Sequence, residues 1–419
     1  MERRMLLPEV YLTAVQTDKF KTACLSMNLL RPLSQEEASL NALLPDVLLR
    51  GTRSCPDINA ISARLDTLYG ASLDGMVRKR GEVQTVSFFA DCLEDSLAGE
   101  AVLADLIAFM GEILLDPLLE NDCFLQEFVE GEKLNLINTI ESKMNDKRSW
   151  ASSRLVQLMC AEEAFGVDRL GTTEAVESIT AVSLTAHWKR ILTHSRIEIF
   201  YMGSAGTDAV AAMFQAALRN LPRGIPDFTG TSVQKQAGPL REVIESMEVS
   251  QGKLVLGLRT GCSGADPEYP ALIFLTTIFG SGISSKLFRN VREKLSLCYY
   301  ATASLDRNKG IMLISSGIEP ADYETAKRAI LAELEACKNG DITDDELNKA
   351  RQYLLSSYRS AMDSPGSLES WYTGRAIDGA DRSLQEEAAL LNAVSREEII
   401  AAANRLQLDT VYFLKGEES

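Results

Sequence analysis

The chain has 419 residues, of which 46% are apolar and 24% charged, an ordinary globular composition long enough for two domains of roughly 200 residues each. Its 59 acidic side chains outnumber 43 basic ones, giving a net charge of -16. Nucleic acid and anionic membrane surfaces are therefore excluded as natural partners, since both call for clustered Lys and Arg, whereas a cationic peptide or a basic protein surface fits.

The N-terminus, M-E-R-R-M-L-L-P-E-V-Y-L, has only a short apolar run, broken by Pro8 and Glu9. It is too short for a signal-peptide core, and no later run reaches membrane-spanning length. An S-x-x-E box at Ser34 to Glu37 opens a helix through N-A-L-L-P-D-V-L-L-R-G-T (41–52). Pro45 interrupts that apolar frame, removing a backbone hydrogen bond at a cost of ~3 kcal/mol. L-D-T-L-Y-G-A-S-L-D-G-M-V (65–77) leaves a helix through Gly70 into a strand, and V-Q-T-V-S-F-F-A-D (83–91) returns beside it as a hairpin. Helical stretches follow from Ser96 to Leu114 and from Asp122 to Lys143. R-I-E-I-F-Y-M-G (196–203) reads as a late strand before a helix ending near Leu218.

The sharpest composition break is L-P-R-G-I-P-D-F-T-G-T-S-V-Q-K-Q-A-G-P-L (221–240), a linker by its prolines, glycines and small polar residues. It separates a domain at 1–222 from one at 241–419, with 223–240 as the connection. The second half repeats the order of the first. A strand at 253–258 and a buried helix at 269–279 ending at Gly280 precede a helix at 284–294 capped by Ser284. A hairpin of 297–305 with 310–318 comes next, then two long helices that stop at Gly340 and restart at Thr343, and a closing strand at 411–415. Strands in hairpins with segregated helices, occurring twice, predict an α+β fold with weak internal duplication.

The chemistry-bearing residues are few. The two histidines, His187 and His194, are seven helical positions and ~10 Å apart, too far to share one metal, and are expected at a surface or a partner contact. F-G-S-G-I-S-S-K (279–286) lacks phosphate-loop spacing and reads as a turn feeding a helix. The eight cysteines (24, 55, 92, 123, 160, 262, 298, 337) contain no C-x-x-C pair, so free thiols in a reducing cytoplasm are expected. Arg292, in the last turns of a helix, and Tyr299, in the following strand, could converge on one carbonyl or carboxylate; taken alone, they read first as an Arg favoured by the helix dipole and a Tyr in a sheet.

One long segment decides more. G-I-S-S-K-L-F-R-N-V-R-E-K-L-S-L-C-Y-Y-A-T-A-S-L is similar to the C-terminal-domain signature of the insulinase/pitrilysin family of zinc peptidases. L-L-R-G-T (48–52), L-D-T-L-Y-G-A-S-L (65–73), the linker and G-D-I-T-D-D-E-L-N-K-A-R (340–351) match in order, so the resemblance covers nearly the whole chain. It implies two homologous α/β-roll domains, each a mostly antiparallel sheet flanked by helices, commonly paired into a chamber for peptides.

The family's zinc helix, H-x-x-E-H, lies just ahead of the Gly-Thr pair, with a third ligand downstream. Carried onto this sequence, the first histidine position is Ala42, the glutamate Pro45 and the second histidine Asp46. The E-K-L-N-L-I-N-T segment places the third ligand at Thr139, with Glu141 nearby. No cofactor is therefore expected in this chain, and zinc only in a partner. The resemblance gives Arg292 and Tyr299 a different meaning: in the family that pair reaches toward the substrate backbone and oxyanion, and in heterodimers one subunit can keep the zinc helix while the other keeps the pair. Tyr300 is the adjacent alternative. The expectation is a non-catalytic subunit of a bacterial, cytoplasmic heterodimer with a zinc-bearing paralogue that cuts peptides, homodimerisation in isolation being open. The alternative is a peptide- or protein-binding scaffold outside proteolysis.

Overall fold

The computed structural model describes residues 1–379 and 382–416. Its backbone forms two compact units, each assembled from separated stretches of chain. The first comprises 1–141, 167–230 and 364–377; the second comprises 142–166, 231–363 and the chain from 378 onward.

In the first unit the strands are β1 (Glu2–Leu7), β2 (Val10–Gln16), β3 (Thr22–Pro32), β4 (Ser72–Arg80), β5 (Val83–Leu93), a short ribbon of β6 (Leu119–Glu120) with β7 (Cys123–Phe124), and β8 (Arg196–Gly203). The main sheet runs β1-β2-β8-β3-β5-β4 and is antiparallel except for the β2–β8 pair. The second unit holds β9 (Arg241–Ser246), β10 (Gly252–Arg259), β11 (Tyr300–Asp306), β12 (Ile311–Ile318) and β13 (Gln407–Lys415). These run β11-β12-β10-β13-β9, with only β13–β9 parallel. Read from its β9 end, this order repeats β2-β8-β3-β5-β4, parallel pair included. The duplication that is faint in sequence is explicit in topology.

The helices that matter for function are α1 (Ala38–Leu48), α2 (Gln126–Ser142), α3 (Lys147–Met159), α4 (Ala181–His194), α5 (Tyr269–Gly280) and α6 (Pro365–Asp378). Each sheet buries one apolar face against helices from its own half of the sequence and the other against a helix from the opposite half. Helix α3 lies on the second unit, where Leu155 and Met159 pack over Gly257 of β10. A Cβ at Gly257 would sit 2.6 Å from Met159 Sδ and 2.7 Å from Leu155 Cδ2, so any larger residue would make both side chains shift. Helix α6 lies on the first unit. Its fully buried Glu369 accepts hydrogen bonds from Ser26 Oγ (2.8 Å) and Arg78 Nη1 (2.8 Å), and Tyr372 stacks on Phe200 with centroids 6.1 Å apart.

Several predicted boundaries move, each for a local reason. The helix expected over 96–114 is split by Gly99, whose φ of 79° ends a short turn of helix at Asp95–Ala98 before Val102–Leu115 begins. The next begins at Gln126 rather than Asp122, because Asn121 and Asp122 take positive φ in the β6–β7 ribbon. The helix expected at 284–294 forms at Leu287–Lys294 as a π-helix, and Ser285, not Ser284, accepts the Phe288 N–H at 3.3 Å. Glu37 of the S-x-x-E box turns instead to Arg31, at 2.9 and 3.0 Å. The restart at Thr343 forms as read, Thr343 and Glu346 capping each other. All eight cysteines are free, and among the described residues no helix is long and apolar enough to cross a membrane.

Candidate functional site

The N-A-L-L-P-D-V-L-L-R-G-T segment is helix α1 and its terminating turn. The helix closes at Leu49, and the turn beyond it needs glycine at 51, where the Pro56 carbonyl oxygen would lie 2.7 Å from any Cβ. Thr52 then fixes the turn: its N–H donates to Cys55 O (2.7 Å), its hydroxyl donates to Glu112 Oε1 (2.5 Å), and its Oγ1 accepts from Cys55 N (3.0 Å). Ala42 and Pro45 are buried, Pro45 pressed so closely on β4 that a Cβ at Gly75 would be 2.8 Å from its own Cβ. Asp46 alone of the three faces solvent. Protein crowds its carboxyl, and that desolvation, with the nearby charge of Glu132, pushes its pKa up to about 6.

Glu132 on α2 is therefore the carboxylate beside Asp46. It is buried, accepting from Arg50 Nη1 (3.0 Å) on one oxygen and from Asn135 Nδ2 (2.8 Å) on the other. Thr139, the position counted from the family motif, lies seven residues and roughly 10 Å farther along α2, exposed, its hydroxyl donating to the Asn135 carbonyl at 2.8 Å. Glu132 carried a signal in the sequence. It sits in the apolar stripe formed by Phe128, Val129 and Leu136, where an acid needs a partner.

A catalytic zinc needs three protein donors. Here Ala42 and Pro45 offer none, and Glu132 is held by a guanidinium that occupies the cation's role. Among the described residues no three His, Cys, Asp or Glu side chains are gathered to hold a metal. The residues do not fit the ion that the fold family implies.

Behind α1 lies a buried polar chain that corrects the expectation of a surface histidine. His187 of α4 is 5% exposed, its Nε2 2.8 Å from Asn41 Oδ1. Asn41 Nδ2 donates to Gln84 Oε1 (2.8 Å), and Gln84 Nε2 donates to the Ala38 and Arg169 carbonyls (3.0 and 2.6 Å). With Asn41 Oδ1 as acceptor, His187 is a neutral donor. Burial lowers its pKa to about 4, the cations Arg31 and Arg190 adding to this while Glu37 opposes it. The unfolded chain takes up a proton near pH 6.5, the native state only near 4, so stability falls as pH drops through that window. Between pH 7 and 4.5 the wild type is expected to lose about 2–3 kcal/mol more unfolding free energy than His187→Gln, as measured by urea titration at each pH. Equal losses would show that the histidine protonates freely in the folded chain.

In the second unit, Arg292 lies on the π-helix Leu287–Lys294. Its side chain is 41% exposed, stacked on Phe288 at 4.6 Å and in loose contact with Glu293 at 3.6 Å. Tyr299 is 59% exposed; its N–H donates to Gly317 O (2.9 Å) and its phenol to Glu319 Oε1 (2.7 Å), a hydrogen bond that, with the carboxylate's charge, raises the phenol pKa. Among the described residues no hydrogen bond or ring contact joins Arg292 to Tyr299. Tyr300 is half-buried, with the Arg148 guanidinium stacked 4.0 Å from its ring centroid.

Two duplicated α+β units, one carrying a helix stripped of the zinc donors, define a peptidase-like chain. The chain belongs to the M16 peptidase family, and its residues 178–354 match the Peptidase M16 inactive domain. Over 406 residues, 96% of this chain and 95% of the relative, it is 31% identical to the probable inactive metalloprotease YmfF of Bacillus subtilis. A conserved protein from Enterococcus faecalis shares 30% identity and a TM-score of 0.91 over 100% of this chain and 99% of that one. The fold is also that of the peptidase M16 inactive domain from Pseudomonas fluorescens, with a TM-score of 0.81 at 18% identity over 100% and 98% of the two chains.

Proposed function

We propose that this chain is the non-catalytic subunit of a two-chain zinc peptidase. A zinc-bearing paralogue supplies the metal and general base, and this chain supplies substrate and transition-state contacts through Arg292 and Tyr299. The observation that carries the reading is the exposure of that pair. A guanidinium fork and a phenol stay at the surface on a π-helical turn and the strand edge beside it, while beside the chain's own metal helix Arg50 is paired with Glu132. Free thiols throughout support a cytoplasmic setting. The Tyr299–Glu319 hydrogen bond favours a second reading, a scaffold that binds a protein or peptide and leaves cleavage aside.

Purification of the chain alone and with its zinc-bearing paralogue separates these. The lone chain is expected to contain well under about 0.1 zinc per molecule by mass spectrometry and to leave a quenched peptide uncut, whereas the pair cleaves it. A paralogue equally active with and without this chain would support the scaffold. Zinc and cleavage in the lone chain would overturn both readings.

A further inference from the structure

Cations around α3 find carboxylates readily in so acidic a chain. Arg154 meets Glu245 at 2.7 Å, Arg259 meets Glu163 at 2.6 Å and Asp409 at 2.9 Å, and Lys309 meets Glu163 at 2.6 Å. At the N-terminal end of the same helix Arg148 and Lys253 do not. Arg148 stacks 4.0 Å over Tyr300 and donates from Nη2 to Thr302 Oγ1 at 3.1 Å. Lys253 Nζ lies 6.0 Å from the same ring centroid and donates to the neutral Gln251 Oε1 at 2.8 Å. Among the described residues neither is within ion-pair distance of a carboxylate. Asp146, the acid that acts on both, is committed to the helix cap: Oδ1 accepts from Arg148 N and Ser149 N (3.1 and 3.2 Å), and Oδ2 from Ser149 Oγ at 2.5 Å.

Strand register builds the platform beneath these charges. Tyr300, Gly317 and Lys253 are direct partners across β11, β12 and β10, so all three face the side that α3 covers. Gly317, having no side chain, leaves a bed for the ring; a Cβ there would fall 2.5 Å from Tyr300 Cε1. Burial, followed by the charge of Arg148, holds the Lys253 ammonium below its ordinary pKa. Two like charges thus converge on one aromatic ring, beside the first turn of a 13-residue helix whose dipole adds positive potential.

We propose that Arg148 and Lys253, set on the Tyr300 platform, bind a carboxylate of a peptide ligand. This rests on the reading of the chain as a peptide-handling subunit and names the feature its ligand carries. The Arg148 fork, held by Thr302, is shaped for a planar carboxylate, and Lys253 regains as a counter-ion what partial burial takes from it in hydration.

The test is fluorescence anisotropy with the full chain and three labelled decapeptides of one neutral sequence: a free C-terminal acid, its C-terminal amide, and the amide with one internal glutamate. The free acid or the glutamate peptide is expected to bind about tenfold tighter than the plain amide, and whichever does so identifies the source of the carboxylate. Arg148→Ala, Lys253→Ala and Gly317→Ala should each erase that preference, with thermal melting to confirm folding. Equal binding of all three peptides by wild type and variants overturns the anion site but leaves peptide binding standing. Binding of none of them overturns both.

Discussion

Replacing Glu369 by alanine is expected to lower the unfolding free energy by about 3 kcal/mol or more, read from urea unfolding curves. The carboxylate is fully buried and joins α6 to two strands, taking hydrogen bonds from Ser26 on β3 and Arg78 on β4, with Thr373 adding a third at 3.1 Å from its own helix. Truncation leaves two hydroxyls and a guanidinium without their acceptor. Because the Arg78 side chain keeps 25% of its surface in solvent, the loss belongs near the low end for a broken buried pair. Glu369→Gln retains an acceptor for Ser26 and should cost roughly half as much. Arg78→Ala with Glu369→Ala should cost about 2 kcal/mol less than the sum of the single changes. Strict additivity would mean that the carboxylate does not anchor α6.

The second large effect concerns chemistry. In the proposed two-chain peptidase, Arg292→Ala is expected to reduce kcat/KM by ~10²–10³, the loss found when one donor to a developing oxyanion is removed. Being 41% exposed and stacked only on Phe288, the side chain can be removed without opening the core, so the two chains should remain associated on size-exclusion chromatography. The partition of the loss identifies the contact. A fall in kcat at constant KM places Arg292 on the transition state, and a rise in KM alone places it on the substrate backbone. Arg292→Lys keeps the charge without the fork and should recover only about a tenth of the activity. Full activity in Arg292→Ala would assign the pair to packing and favour the scaffold.

Much of the fold was legible because periodicity and punctuation agree. The strand read at 83–91 forms as Val83–Leu93, and the stop at Gly340 and the Thr343–Glu346 box appear where the residues place them. Less legible were features set by non-local partners. A positive φ at Asn121 has no local signature as strong as glycine, and Glu37 turns to Arg31, six residues back on β3, where the S-x-x-E spacing points it to the helix cap. The metal helix could be read by residue type, since alanine and proline cannot donate whatever surrounds them. Its partner on α2 could not be fixed by counting, because the spacing from α1 to α2 passes through the split helix and the ribbon. Which helix covers which sheet was invisible for the same reason: α3 and α6 carry no local mark of their destination.

The crossed placement of α3 and α6 also sets a timetable. Ser26 and its acceptor Glu369 are 343 residues apart, so on a ribosome adding 5–20 residues per second the first sheet waits roughly 20–70 s for its second cover. Until then one side of β3 and β5 is open, and α3 has emerged without the strands it will lie on. Cutting the gene at the 221–240 linker would make that interim permanent, each fragment retaining a helix meant for the other. The two halves are therefore expected to fold when synthesised together and to aggregate when produced apart.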